Sequence, residues 1–305
     1  MLKMYHRHVE SGASAAYWEA FGSDGTLADR LRFCDVDPLR PLFLRYLTPG
    51  ATMLEGGCGR GQYVAYYSAR GIKVVGLDFA RDWLSAIHRE SPQLPLCAGD
   101  VGALPFRDGA FDLYYSGGVV EHFEGGAERA LREARRVLKP GGTLLLSVPY
   151  YSPMRRVLAF TRSNEWRRVS GPALDTGDSN GRQFYQYAYT VPEFSKMLTA
   201  AGLRVLGTQG YAIAWGLYDV DAIRRLAARF EGRPQPAGGN GAGTVQPAER
   251  RPEPAAAPST LSMLKRLAVA EDATVPGAGW LVRAGRSACA NMMMYICTPD
   301  GAAAR

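Results

Sequence analysis

The stretch Met53-Leu-Glu55-Gly-Gly57-Cys-Gly59-Arg60-Gly61 is the part of this sequence best suited to hold a ligand. Glycines at alternate positions let a backbone turn sharply and approach a bound molecule with no Cβ in the way. A helix beginning at such a loop presents free N–H groups and a positive dipole end. The spacing decides which ligand. A dinucleotide fingerprint needs Gly-x-Gly-x-x-Gly/Ala. Counted from Gly57 its third glycine would fall at Gln62, and counted from Gly59 at Val64, so neither register fits. An acid preceding Gly-x-Gly-x-Gly points away from dinucleotides and from phosphate cradling. Two further acids follow at Asp78, 17 residues past Gly61, and at Asp100, 22 residues later. His122, beside Glu121, is the residue best suited to accept a proton near neutral pH.

The elements that must position these groups read as alternating strands and helices. Apolar runs ending in loop residues occur at Ala51–Glu55, Lys73–Asp78, Pro95–Asp100, Phe111–Ser116 and Gly142–Pro149. Their continuous hydrophobicity predicts strands buried on both faces, hence a mostly parallel sheet. A helix runs from about Gly61 to Arg70 and stops at Gly71; another carries Ala130, Leu131, Ala134 and Val137 on one face and ends before Lys139-Pro-Gly-Gly142. Thr190-Val-Pro-Glu193 reads as a capping box opening a helix that stops at Gly202. Leu203–Leu206 and Asn291–Thr298 supply a sixth and a seventh strand. The fold class is therefore α/β, a doubly wound, Rossmann-like sheet of seven strands.

The loop resembles motif I of class I S-adenosylmethionine-dependent methyltransferases, and the later pieces are similar in order. Val74-Val-Gly-Leu-Asp78, Ala98-Gly-Asp100, Leu104 to His122 and Arg135-Arg-Val-Leu-Lys-Pro-Gly-Gly142 match the family's successive signatures. The resemblance covers residues 51–149 and, more loosely, 190–206, and is nearest the ubiquinone/menaquinone-type, small-molecule (type 11) subgroup. It implies S-adenosylmethionine as cofactor and a last strand antiparallel to the rest. Asp78 would bind the ribose hydroxyls, Asp100 the adenine amino group and the Val101 N–H the ring. Glu55, Gly57, Gly59, Arg60, Gly61, Phe79, Ser116, Gly117 and Tyr17 complete the expected cofactor set. The chain lacks the Asn/Asp-Pro-Pro-Tyr/Phe of base-methylating members, having Ser116-Gly-Gly-Val119 instead, and no acidic metal-ligand set is recognisable, so no metal is predicted.

Methyl transfer from a sulfonium is an in-line displacement with a good leaving group, so the protein chiefly aligns donor and acceptor and excludes water. His122 is the candidate base where the acceptor carries a proton; the alternative is a structural histidine of the pocket. Tyr17, Trp18 and Phe21 fall on an expected lid helix whose rings suit a sulfonium. Trp18, Tyr150, Tyr151, Tyr185 and Tyr189 are expected on the acceptor side, with Arg155 of the cluster Arg155, Arg156, Arg162, Arg167 and Arg168 suggesting an anionic acceptor group. Modification of RNA or protein, favoured by the basic second half, and a non-catalytic cofactor-binding module remain as alternatives; the first lacks a recognisable RNA-binding module.

Composition bounds the rest. The 305 residues carry a net charge of +7, and the first 150 are balanced with 17 charges of each sign. No apolar run approaches the ~20 residues of a membrane span, and no signal-peptide core follows the N-terminus, giving a cytoplasmic expectation. Five scattered cysteines without a Cys-x-x-Cys suggest reduced thiols. The expected layout is lid helices over 1–50, a core over 51–211 and 291–299 interrupted by a substrate-side insertion at 150–189, and an insertion over 212–290. Within the latter, the Pro/Gly/Ala-rich 232–258 reads as a disordered linker.

Overall fold

In the computed structural model, residues 1–6, 27–161, 166–172, 183–223, 271 and 277–301 are described. The strands are β1 (Leu2–His6), β2 (Thr52–Gly56), β3 (Lys73–Asp78), β4 (Leu96–Ala98), β5 (Phe111–Gly117), β6 (Leu138–Pro149), β7 (Trp166–Arg168), β8 (Gln183–Ala188), β9 (Leu203–Tyr211) and β10 (Met292–Pro299). The helices used below are α1 (Leu27–Val36), α2 (Arg40–Tyr46), α3 (Gln62–Ser68), α4 (Arg81–Glu90), α5 (Glu128–Val137), α6 (Pro153–Thr161), α7 (Val191–Ala200), α8 (Ile213–Leu217) and α9 (Gly279–Ala288).

Seven strands form one sheet in the order β4-β3-β2-β5-β6-β10-β9. β2 to β6 run parallel, and β10 is antiparallel to both β6 and β9. The apolar runs are continuous because alternate residues meet different layers. Leu54, Tyr114 and Leu144 pack with Leu131 and Phe194 on one face, while Met53, Tyr115 and Leu145 pack with Phe43, Tyr63 and Tyr67 on the other. Each such leucine contributes on the order of 2 kcal/mol by leaving water. Helix α7 starts as the Thr190 motif predicts: the Glu193 N–H donates to Thr190 Oγ1 at 3.4 Å, and the Thr190 N–H donates to Glu193 Oε2 at 2.9 Å.

The N-terminal region departs from the expectation of lid helices alone. Leu2–His6 is a strand, paired antiparallel with β7 and β8 in a second, three-stranded sheet. Its partners come from the 150–189 insertion, more than a hundred residues away, so no local pattern reveals the pairing. Lys3, 2% exposed, ties this sheet to the loop after β5 through Glu124 Oε1 at 2.7 Å and lies 5.2 Å from the Phe184 ring centre. Tyr17, Trp18 and Phe21, and the segment 232–258, lie outside the described residues.

Candidate active site

The functional edge is the one where the parallel strands end. β2 runs directly into the glycine loop, whose conformation only glycine adopts comfortably. Gly57 has φ +76°, and a Cβ there would lie 2.3 Å from Val119 Cγ2; Gly59 and Gly61 share the left-handed region. Glu55 is buried beneath the loop, and its Oε2 accepts from the Val64 N–H at 3.1 Å, satisfying an otherwise orphaned donor in the first turn of α3. Burial pushes the Glu55 carboxyl well above its ordinary range, against that hydrogen bond, and nearby Asp78 adds to the rise. Cys58 is likewise buried, which raises its thiol far from reactivity.

Asp78 closes β3 across from the loop. Its Oδ2 accepts from the Gly59 N–H at 2.7 Å and its Oδ1 from the Ala80 N–H at 2.9 Å. One carboxylate therefore fixes both the glycine loop and the start of α4, while each oxygen keeps a lone pair for a ligand hydroxyl. Asp100 is oriented in the same way by the Gly102 N–H, 2.7 Å from Oδ1. Between these groups opens a cleft of about 490 Å³. Gly57, Gly59, Asp78 and Phe79 line one part of it, Asp100 and Val101 a second, and Gly117 to Val119 with His122 a third.

Other expected residues lie elsewhere. Arg60 and Gly61 belong to the loop but do not line the cleft, and Ser116 is buried below it. Trp83, on the first turn of α4, lines the cleft and was not anticipated; its signal is its place just past the acid that ends β3. The Trp83 indole N–H is buried and has no partner among the described residues.

His122 sits in the single-turn 3-10 helix Val120–His122. Its Nδ1 is 2.7 Å from the Tyr185 carbonyl oxygen, which can only accept, so the proton is on Nδ1 and the neutral ring keeps Nε2 as its basic atom. Nε2 is 3.8 Å from Glu121 Oε1, too far for a direct hydrogen bond. The Glu121 side chain is 2% exposed, its Oε2 has no partner among the described residues, and burial lifts its carboxyl to about 8. The Tyr185 ring stands edge-on to the imidazole at 5.1 Å.

Three of the expected acceptor-side residues are packed into the fold. Tyr151 is buried and accepts from Arg168 Nε at 2.8 Å. Tyr189 is buried between Tyr187 and Phe194. Arg155 is the clearest correction: it is 2% exposed, its Nε is 2.6 Å from Asp219 Oδ2, and its Nη1 donates to the carbonyls of Tyr150 and Asn291. A guanidinium so enclosed joins α6 to the 212–290 insertion and does not line the cleft.

The fit of an adenosine-type ligand follows from the donor set. The cleft is lined by two carboxylates and, among the described residues, by no lysine or arginine. Phosphate-bearing nucleotides are disfavoured in such a field, whereas a nucleoside joined to a cationic centre is not. Adding the glycine cradle that a Cβ would fill and the orphaned Trp83 N–H, the fold and cleft define a Rossmann-like nucleoside-binding protein whose cleft has no basic lining side chain among the described residues.

Comparison with known proteins narrows the class. A family model described as a methyltransferase domain matches residues 54–146. The chain is 34% identical over 143 residues to demethylmenaquinone methyltransferase of Renibacterium salmoninarum, covering 46% of this chain and 57% of that protein, little over half its length. It is 32% identical over 222 residues to malonyl-[acyl-carrier protein] O-methyltransferase of Erwinia pyrifoliae, covering 71% of this chain and 75% of that protein. The fold matches that in the complex of the Haloferax volcanii Trm112 methyltransferase activator with a protein described as a methyltransferase, at TM-score 0.51 and 17% identity over 94% of this chain and 98% of that one. The chain belongs to the class I S-adenosylmethionine-dependent methyltransferases, in the type 11 group.

Proposed function

We propose that this protein transfers a methyl group from S-adenosylmethionine to a small-molecule acceptor. The carrying observation is the cleft itself, in which a glycine cradle, two fixed carboxylates and the absence of a basic lining side chain among the described residues meet at one sheet edge. Bound there, the cofactor supplies an electrophilic methyl group on a sulfonium. Asp78 accepts from the ribose hydroxyls, Asp100 and the Val101 N–H take the adenine edge, and Phe79, 48% exposed at the rim, covers the purine. The loop from Gly57 to Gly61 admits the methionine portion. His122 Nε2 takes a proton from the acceptor where it carries one, with the Tyr185 carbonyl holding the tautomer.

The names of the two relatives, demethylmenaquinone and malonyl-[acyl-carrier protein] methyltransferases, support this acceptor class. Human and mouse relatives named as tRNA methyltransferases, 35% and 34% identical over 108 residues, favour RNA as the second reading. Calorimetry with S-adenosylmethionine is the first test, and absence of binding by the folded protein would sink the reading. A mass-spectrometric acceptor screen with labelled cofactor is the second. Label passing to RNA or protein, and to no small molecule, would replace the acceptor class while keeping the reaction.

A further inference from the structure

A second cavity, of about 210 Å³, opens on the same sheet edge. Its walls are rings: Phe33 of α1, Tyr63 of α3, Tyr115 of β5, Tyr211 of β9 and Trp215 of α8. Its polar group is Asp37, which is 6% exposed and accepts from the Leu39 N–H at 2.8 Å and from the Tyr63 hydroxyl. None of the described lining residues is a lysine or arginine. Burial holds the Asp37 carboxyl above its ordinary range even though both hydrogen bonds favour the charged form.

The cavity abuts the cofactor cleft at the end of β5. Gly117 lines the cleft and Tyr115 lines the cavity. A Cβ on Gly117 would lie 2.2 Å from the Tyr115 hydroxyl oxygen, so that hydroxyl rests directly on the glycine backbone. A second tie runs beside it: Tyr211 donates to Ser147 Oγ at 2.8 Å, and the Ser147 carbonyl accepts from the Gly118 N–H at 3.1 Å. The rings brace one another. Tyr63 and Tyr115 stand edge to face at 5.2 Å, and Phe43 braces both from behind at 5.3 and 4.9 Å.

A buried carboxylate ringed by aromatic faces complements an organic cation and repels an anion. We propose that this cavity is the acceptor site and that the acceptor carries an amine, its ammonium docked on Asp37 and its carbon frame among the rings. The assignment of the cavity to the acceptor rests on the methyltransferase reading; its preference for ammonium does not. It also replaces the anionic acceptor suggested by the arginines, since Arg155 is enclosed by Asp219 and Asn291.

The test uses the full chain at neutral pH, titrated calorimetrically with phenethylamine, 2-phenylethanol and 3-phenylpropionate, with and without saturating S-adenosylhomocysteine. Phenethylamine is expected to saturate one site at least roughly tenfold more tightly than the alcohol, and the carboxylate is expected not to bind. Asp37→Asn keeps an acceptor for the Leu39 N–H; it should weaken the amine by about tenfold with unchanged circular dichroism and S-adenosylhomocysteine affinity. Trp215→Ala, at the exposed rim, should weaken it severalfold without risk to the fold. Equal affinity for all three probes, or unchanged amine affinity in both folded variants, overturns the inference. Loss of amine binding with cofactor binding intact removes this proposal alone; amine binding without any cofactor binding keeps the ammonium site and removes the methyltransferase reading.

Discussion

The two spaces at the end of the sheet are built by different means. The cofactor cleft is set by main chain: positive φ at Gly57 and Gly59 shapes the loop, and N–H groups of Gly59, Ala80 and Gly102 aim the two acids. Much of it comes from residues 55–102. The neighbouring cavity is made of side chains, drawn from α1, the turn before α2, α3, β5, β9 and α8. In the cleft the main chain fixes the few acids that recognise the ligand, so the other side chains around it can vary. A ring-lined site is changed by every substitution in its wall. One fold can thus hold a common donor and admit different acceptors.

Four measurements test that contrast. The largest effect is expected from Arg155→Ala, which removes the buried guanidinium that joins Asp219 to the carbonyls of Tyr150 and Asn291. The loss should be about 3–5 kcal/mol in a denaturant titration, with cofactor affinity per folded molecule unchanged. A stable variant that instead lost turnover of an anionic acceptor would return Arg155 to the acceptor side. Gly57→Val comes next: strain at a left-handed φ and the contact with Val119 should weaken cofactor binding by about 3 kcal/mol, roughly a hundredfold, while amine binding in the second cavity persists. Asp78→Ala should weaken it by about 1.5–3 kcal/mol; an unchanged dissociation constant in the folded variant would remove the ribose assignment.

The fourth measurement reads a pH dependence and concerns Glu121. In the fold its proton is held up to about pH 8, whereas an unfolded glutamate releases it near 4.5. The stabilisation from the neutral acid is therefore complete below about 4.5 and disappears as pH rises through about 8. Glu121→Gln stays neutral throughout, so its melting temperature should fall less than the wild type's across that window. Parallel melting curves for the two proteins would show that Glu121 is ionised in the fold at neutral pH.

This contrast also governs what could be read from sequence. Glycine spacing and the acids at 55, 78 and 100 were legible because each sits on a loop whose conformation its own residues impose. The same holds for the Thr190 capping box. Asp37 was not legible, since Asp-Pro reads locally as a turn, and its role depends on Tyr63, 26 residues away. Tyr151, Tyr189 and Arg155 mislead for the opposite reason: a run of tyrosines and arginines reads as a ligand wall until packing shows that the rings face the core and the guanidinium faces Asp219. Strand β1 needed partners from β7 and β8, so its residues alone could not declare it.

The placing of β10 between β6 and β9 carries one more consequence. Chain leaving β9 and chain entering β10 stand side by side: Tyr211 pairs with Met292, and the Asn291 N–H donates to the Ala212 carbonyl at 3.3 Å. The two ends of the long segment between them are therefore already held together by the sheet, so lengthening it costs little additional ordering entropy. That segment begins with Ala212 to Trp215, one wall of the ring-lined cavity. The molecule has a socket there, through which new chain could be introduced to reshape what enters the cavity while the strands holding the glycine loop stay paired.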